Sequence, residues 1–492
     1  MKLLFTQDAL VNAGAERSHL EILSRFSEEV DVGFVYFYPK HDLREAYERA
    51  GFRLFFLDIP ESYHFGLAVR RLIKLIRHEK PDLLVSSLWR ADIITRIASW
   101  ITGVPLVGTL VNDSYAPIAW TDKKGLKYKI VYWLDWLTSG IPVHWIANAR
   151  ALADSHVKTL GIDKDKISVV YRGRPVIART AGTKQSFQKI EFTDETPSAA
   201  DGSEVNSDSP NSSLAVTKPE ETASPPRRIA VTDDVIARTR NSQPRTNVGE
   251  EEVFSGSNKI SSNEEIASAA KSSQEKSNEV ESSLAMTRNF ISYGRLLERK
   301  GFQDAIQAFA SVIKKYPDCT LTIFGEGFYR KNLEALIQEL GLYNSVFLPG
   351  KIPNPMDILI SNGKQHPTSD IGHPTSFHCF LFPSWYEGFS GALVEAMMAG
   401  IPIIASDIPM NLEAVEDQKT TLIFPVQDAD FLAKQMTWAI ENPESMQALG
   451  IQARKVAEER FDIEKIAKQY EDLLQKIVLS QRSALREGGG IS

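Results

Sequence analysis

The sequence predicts two α/β domains, each a doubly wound parallel sheet with helices on both faces. Three observations carry this expectation. From residue 1 to about 175, short β-rich runs alternate with helical stretches, the βαβ rhythm of a sheet covered on both sides. The same rhythm returns after residue 289. Between the two halves runs a long stretch too polar to fold with either.

In the first half the expected strands are Lys2–Thr6, Asp31–Tyr36, Arg53–Leu57, Leu83–Ser87, Pro105–Leu110, His144–Ala147 and Ser168–Tyr171. Amphipathic stretches such as Leu67–Arg77 and Ala149–Leu160 supply helices between them. Together they define an N-terminal domain over residues 1–177. Residues 178–288 contain no Trp, Tyr, His or Cys and only two Leu, Leu214 and Leu284, while Ser, Glu, Asn and Thr dominate. Such a segment cannot bury enough apolar surface to offset its chain entropy. It is expected to be a disordered insertion, with transient helix near Glu264–Lys271.

The second domain spans residues 289–460, with strands at Phe290–Tyr293, Thr320–Phe324, Ser345–Leu348, Cys379–Phe382, Pro402–Ala405 and Thr421–Phe424. Helical patterns separate them at Phe302–Lys315, Tyr329–Leu340 and Ala429–Glu441, and Pro443–Arg460 and Glu464–Leu479 close the chain. Residues 461–492 form a C-terminal helix and tail. In doubly wound sheets ligands bind outside the carboxyl ends of the strands, so the active site belongs in the cleft between the domains.

Bulk properties narrow the function. A formal net charge of −7 over 492 residues argues against a general nucleic-acid binder. Two cysteines, Cys319 and Cys379, lie far apart without metal-ligand spacing, which suits a reducing, cytoplasmic setting. Asp8 interrupts the apolar start too early for a signal-peptide core. The most apolar long segment, Lys129–Ala147, carries Asp135 and a Gly-x-Pro break, so no spanning helix is expected there. No G-x-G-x-x-G follows the first strand of either domain and no P-loop is present, which disfavours a dehydrogenase or a P-loop nucleotidase.

Two stretches carry chemistry. Tyr293–Gly301 (YGRLLERKG) runs from a strand toward a helix, where backbone amides and the helix dipole favour an anion. Arg295 and Lys300 project from it and together could neutralise a diphosphate, although exposed Arg and Lys are the norm on any surface. Phe382–Asp407 (FPSWYEGFSGALVEAMMAGIPIIASD) places Ser390 as a natural N-cap and Gly400 as a stop. Its glycines permit close backbone approach. Glu395 lies too far into the helix to serve a capping box. A carboxylate there needs strong hydrogen-bond donors: a salt bridge, or a vicinal diol such as a ribose.

Taken together these motifs resemble the retaining GT-B glycosyltransferases of family 4, whose fold is two Rossmann-like domains facing across a cleft. Glu387 and Glu395 form that family's E-x7-E pair, Gly294–Gly301 matches its G-R-L-x3-K-G element, Gly325–Gly327 its G-E-G element, and Leu348–Ile352 the loop near the base. Ala13–Arg17 (AGAER) stands where the family has its glycine loop. The resemblance implies that Arg295 and Lys300 bind the donor diphosphate and stabilise it as a leaving group. It implies that Glu395 holds the ribose, and that Glu387 with the amides of Phe389, Ser390 and Gly391 contacts the transferred sugar. Gly14, Gly325 and Ile352 would complete the donor site. The resemblance also implies that the C-terminal helix of residues 461–492 packs back on the first domain. The implied donor is a UDP- or GDP-sugar, the acceptor a glycan or lipid-linked molecule, and no cofactor, metal or nucleic acid is implied. Activity would be sugar transfer with retention, with a GT-B epimerase or hydrolase, or a non-catalytic nucleotide-sugar-binding protein, as the alternatives.

The sequence also departs from the family pattern. The histidine that family members often carry after the strand at Pro105–Leu110 is absent, and Asn112 or Asp113 occupies that acceptor-side region. Thr421 replaces a family glycine. Ser361–His378 is extra sequence with a tandem His-Pro-Thr-Ser repeat whose spacing fits no closed metal site. Finally, the Lys123–Lys129 region combines lysines with apolar residues at helical spacing. It reads either as a solvated basic face or as a peripheral contact with the cytosolic face of an anionic membrane.

Overall fold

The computed structural model describes residues 1–61, 64–115, 125–176, 288–352, 354–361 and 379–488. The 178–287 stretch, the Glu264–Lys271 expectation and the His-Pro-Thr-Ser repeat lie outside the described residues.

The N-terminal domain alternates β1 (Lys2–Gln7), α1 (Gly14–Leu23), β2 (Asp31–Tyr36), α2 (Arg44–Arg49), β3 (Arg53–Phe56), α3 (Phe65–Glu79), β4 (Leu83–Ser87), α4 (Trp89–Thr102) and β5 (Leu106–Leu110). It continues with α5 (Leu126–Thr138), β6 (His144–Ala147), α6 (Arg150–Leu160) and β7 (Ile167–Val169). The strands pair in the order β3-β2-β1-β4-β5-β6-β7, all parallel. Central strands β4 and β5 are buried along their whole length, as strands covered on both faces must be.

The second domain repeats the plan with β8 (Asn289–Tyr293), α7 (Phe302–Lys315), β9 (Thr320–Phe324), α8 (Arg330–Glu339), β10 (Val346–Phe347) and α9 (Pro355–Ser361). Then follow β11 (Cys379–Phe382), α10 (Gly391–Ala399), β12 (Ile403–Ser406), α11 (Pro409–Ala414), β13 (Leu422–Phe424), α12 (Ala429–Glu441) and α13 (Pro443–Arg460). Its sheet runs β10-β9-β8-β11-β12-β13, again parallel. In both sheets the order reverses beside the first strand of the domain, between β1 and β4 and between β8 and β11. Those are the two points where loops diverge to opposite faces and leave room for a ligand.

The expected strand positions hold, with ends displaced by a residue or two. The strand expected at Ser168–Tyr171 runs from Ile167 to Val169, although the Val170 amide still donates to Ala147 of β6 at 2.9 Å. The strand expected at Ser345–Leu348 shrinks to two residues before Pro349 and Gly350. The last helix, α14 (Ile463–Gly488), runs beyond the expected Leu479 because nothing in Ser480–Glu487 breaks a helix. It lies along α1: Arg25 pairs with Glu464 at 2.7 Å, the Ser27 amide donates to Glu471 at 2.9 Å, and Phe26 packs on Tyr470.

One apolar cluster crosses between the domains. It joins Trp145, Leu152 and Leu160 to Phe389, Met410 and Phe461, and Tyr171 packs its ring tilted against Phe389 and edge-on to Phe461, at 5.1 and 5.5 Å between centroids. Glu413 of α11 adds a polar tie. It accepts from the amides of Arg150 and Ala151 at 2.7 and 3.1 Å and from the Tyr171 hydroxyl at 2.7 Å. Helix α6 has no side-chain cap of its own, with Ala149 at the N-cap position, so the other domain caps it.

Candidate functional site

The chain leaving β8 turns through Gly294 and Gly301, both at positive φ, before α7 begins. A Cβ at Gly301 would lie 1.9 Å from the Pro383 carbonyl oxygen, so only glycine lets this loop pack against the one leaving β11. The Trp385 amide donates to the Arg299 carbonyl at 2.9 Å, and the Trp385 indole N–H to Asp304 at 2.6 Å. This pairing of loops carries Lys300 to Glu387. The ammonium contacts the carboxylate directly, Ser384 donates to the same oxygen at 2.8 Å, and Arg299 stands 4.0 Å from the other.

The electrostatics of this cluster are one-sided. Burial alone would raise the Glu387 carboxyl, but Lys300, Arg299 and the Ser384 hydrogen bond together hold it below its ordinary value. Burial pushes the Lys300 ammonium down, with Arg299 and Arg295 adding to the push against Glu387. Arg295 is exposed and lowered as well, first by loss of water and then by Arg299. Arg172, just beyond β7, faces the same group. Burial, then Arg174, brings it down to about 10, while Glu387, Glu16 and Glu21 oppose. Its Nη1 lies 3.3 Å from where a Cβ on Gly14 would sit, beside the N-terminus of α1. The guanidinium groups of Arg172 and Arg295 make no hydrogen bond to the protein among the described residues. Four cations (Arg172, Arg295, Arg299, Lys300) therefore face three carboxylates, Glu16, Glu21 and Glu387, of which Glu21 is also paired with Arg174. Such a surplus, with donors unspent, can hold an anion.

Glu395 sits in the second turn of α10. Of the two partners left open by the sequence, the salt bridge is present: Oε1 accepts from Arg174 Nε at 2.7 Å and Oε2 from the Tyr293 hydroxyl at 2.7 Å. Arg174 also reaches Glu21 of α1 at 3.1 Å, so it ties both domains to this carboxylate. Burial works against its charge, but Glu21 and Glu395 hold its proton more tightly than usual. The guanidinium lies on Gly391, where a Cβ would meet Nη2 at 2.0 Å. Each carboxylate oxygen of Glu395 retains acceptor capacity for a further donor.

The remaining expected residues divide. Ser390 is at the N-cap position of α10, but its hydroxyl makes no capping bond. Phe389 buries its ring in the interdomain cluster, leaving only its backbone for a ligand. Gly325 is needed for packing: a Cβ there would lie 1.8 Å from the Gly294 carbonyl, and its amide donates to Gly350 at 2.8 Å. Ile352 packs against the same cluster. On the other domain, a Cβ at Gly388 would meet the Val111 carbonyl at 2.0 Å and the Asn112 Cα at 3.6 Å, so Asn112 adjoins Glu387 through its backbone. Asp113, the other residue expected on the acceptor side, is buried and accepts a hydrogen bond from Ser155 of α6 at 2.9 Å. The sequence reading missed Arg172, Arg174, Arg299 and Tyr293 as site residues. The signal that could have found the first two is the Arg-Gly-Arg run, two cations flanking a glycine just after a strand.

Two doubly wound parallel domains with a cation-rich cluster at the loops leaving their first strands have the architecture of a GT-B protein. The family model "Glycosyl transferases group 1" matches residues 273–456, and that of "Glycosyltransferase Family 4" matches residues 13–176. The chain belongs to the group 1 / family 4 glycosyltransferases. An uncharacterized glycosyltransferase of Methanocaldococcus jannaschii is 36% identical over 118 residues, 24% of this chain and 25% of that protein. The N-acetyl-alpha-D-glucosaminyl L-malate synthase of Bacillus anthracis is 27% identical over 184 residues, 37% of this chain and 44% of that one. The chain thus spans less than half the length of these two curated relatives. Among solved structures, Anabaena Alr3699/HepE in complex with UDP-glucose superposes with a TM-score of 0.62 at 18% identity, covering 97% of this chain and 100% of that one. That likeness is one of fold.

Proposed function

We propose that this protein transfers a sugar from a nucleotide-sugar donor to a glycan or lipid-linked acceptor with retention at the anomeric carbon. The observation that carries the reading is the surplus of positive charge around Glu387, beside the loops leaving the first strand of each domain. A nucleoside diphosphate is an anion of the right kind for it. Lys300, Arg295, Arg299 and Arg172 would bind and neutralise the diphosphate, and Glu395, aligned by Arg174 and Tyr293, would take the ribose hydroxyls. Glu387 and the amides of Phe389, Ser390 and Gly391 would hold the transferred sugar.

In the reaction the bond from C1 to the diphosphate oxygen breaks with its electron pair leaving on the phosphate. The acceptor oxygen forms the new bond to C1 from the same face, and its proton passes to the departing phosphate oxygen. Fixed cations aimed at the charge that develops on the leaving group supply the catalysis, so the reaction is expected to need no metal or cofactor. The HepE complex contains UDP-glucose, which makes a UDP-sugar the first donor to try and a GDP-sugar the second. The two free cysteines among the described residues are buried, in keeping with cytoplasmic work.

A thermal-shift panel of UDP-, GDP- and ADP-sugars tests this, since a ligand bound only by the folded protein raises its Tm. One donor should raise the Tm, Lys300→Ala should abolish that rise, and transfer or slow donor hydrolysis should persist in EDTA. A panel with no shift sinks the reading. A shift with no transfer on any acceptor favours a binding protein, and release of a free altered sugar favours an epimerase or hydrolase.

A further inference from the structure

Helix α5 is turned inside out. Asp135 and Thr138 are buried, whereas Trp133 and Leu137 are 61% and 71% exposed. Trp136 and Ile130 of the same helix are exposed as well, and so are Trp100 and Ile101 at the end of α4, against which α5 packs. An apolar patch of this kind, with three tryptophans, is unusual on a protein surface and marks an interaction site.

The rotation of the helix is fixed from inside. Arg96, 2% exposed, pairs with the Asp135 carboxylate, donates to Thr138 at 3.1 Å, and lies 4.8 Å over the Trp145 ring. The Tyr115 hydroxyl donates to the other Asp135 oxygen. Turning α5 to bury its tryptophans would expose Asp135 and leave Arg96 with only Asp92, 3.9 Å away, as counter-charge, losing its direct ion pair and its bond to Thr138, which is unfavourable for a buried cation. The apolar face is thus held outward by a buried ion pair.

We propose that this face is a docking surface for an anionic lipid bilayer, into whose interface α5 and the end of α4 insert side-on. Tryptophan favours the boundary between hydrocarbon and headgroups, where its ring is apolar and its N–H stays wet. Charge fits the same occupant. Lys129 is exposed on α5, and residues 122–129 carry four lysines against one aspartate in a chain of net charge −7. A second copy docking through the same face would bring like charges at Lys129 to the seam. With 13 residues α5 is too short to span, and no helix among the described residues is long and apolar enough to do so, so the helix lies on the surface. Tyr115, bonded to α5, is three residues from Asn112 at Gly388. The proposed membrane face thus lies on the segment that leads to the proposed acceptor-side residue Asn112. The inference deepens the lipid-linked acceptor of the proposed function, but its test does not depend on activity.

Co-sedimentation with vesicles of phosphatidylcholine alone, or mixed with phosphatidylglycerol, decides it. The protein should pellet with the mixed vesicles, less so in high salt, and at least tenfold less as Trp133→Ser/Leu137→Ser. Lys129→Glu should weaken binding without abolishing it. The double variant should keep the wild-type circular-dichroism melt and any donor-induced shift, which separates loss of docking from misfolding and from failure of the donor reading. No binding to either vesicle would overturn the proposal. So would equal binding to both, or a wild-type dimer in the ultracentrifuge that the same two substitutions dissociate.

Discussion

At the scale of single residues, Arg174 decides the most. Its planar fork reaches Glu395 through Nε and Glu21 through Nη1, a geometry that lysine cannot copy. Removing one partner of a buried ion pair strands the other, at a cost of about 3–5 kcal/mol. Arg174→Met should therefore lower the Tm by several degrees and blunt any donor-induced shift, since Glu395 loses its orientation. A variant as stable as wild type would show that the pair is incidental. The same residue explains why an acidic side chain can sit inside an apolar helix: it is not left for water but answered from the other domain.

Among elements, the loops after β8 and β11 act as one unit. Gly301 has φ +66° and would bring a Cβ to 1.9 Å from the Pro383 carbonyl. Left-handed backbone costs a residue with a Cβ about 1–2 kcal/mol, and here a main-chain clash adds to it. Gly301→Ala should push the loops apart, move Lys300 off Glu387, and abolish the donor shift with a measurable fall in Tm. An unchanged donor shift would mean that the Lys300–Glu387 contact is dispensable. Helix α10 shows the complementary case. Its apolar residues pack as any core helix does, while the proposed donor contacts fall to its N-terminal amides and one carboxylate.

For the whole molecule the question is what sets the domains against each other. Glu413 caps α6 across the divide, Tyr171 packs between Phe389 and Phe461, and α14 returns along α1. A helix cap contributes about 0.5–2 kcal/mol, small beside the apolar cluster but placed on the interface itself. Glu413→Ala should leave each domain folded while loosening their arrangement, seen as a larger radius of gyration in X-ray scattering and a modest drop in Tm. An unaltered scattering profile would assign closure to the apolar cluster alone.

The alternation of strands and helices was legible from the chain alone, because buried parallel strands must be continuous apolar runs and their punctuation by Gly, Pro and Asp is local. Glu395 stood out as a charge inside an apolar helix, whereas Arg295, Lys300 and Glu387 were singled out by the resemblance to family 4, since surface charges at strand ends are common. What those groups meet is a matter of tertiary structure. That Arg174 answers Glu395, that Asp113 turns inward to Ser155, and that Gly325 serves backbone packing all depend on segments distant in sequence. The outward face of α5 was hidden for the same reason. Apolar residues at helical spacing look like core until a buried partner, here Arg96, shows which side of the helix the protein has already claimed.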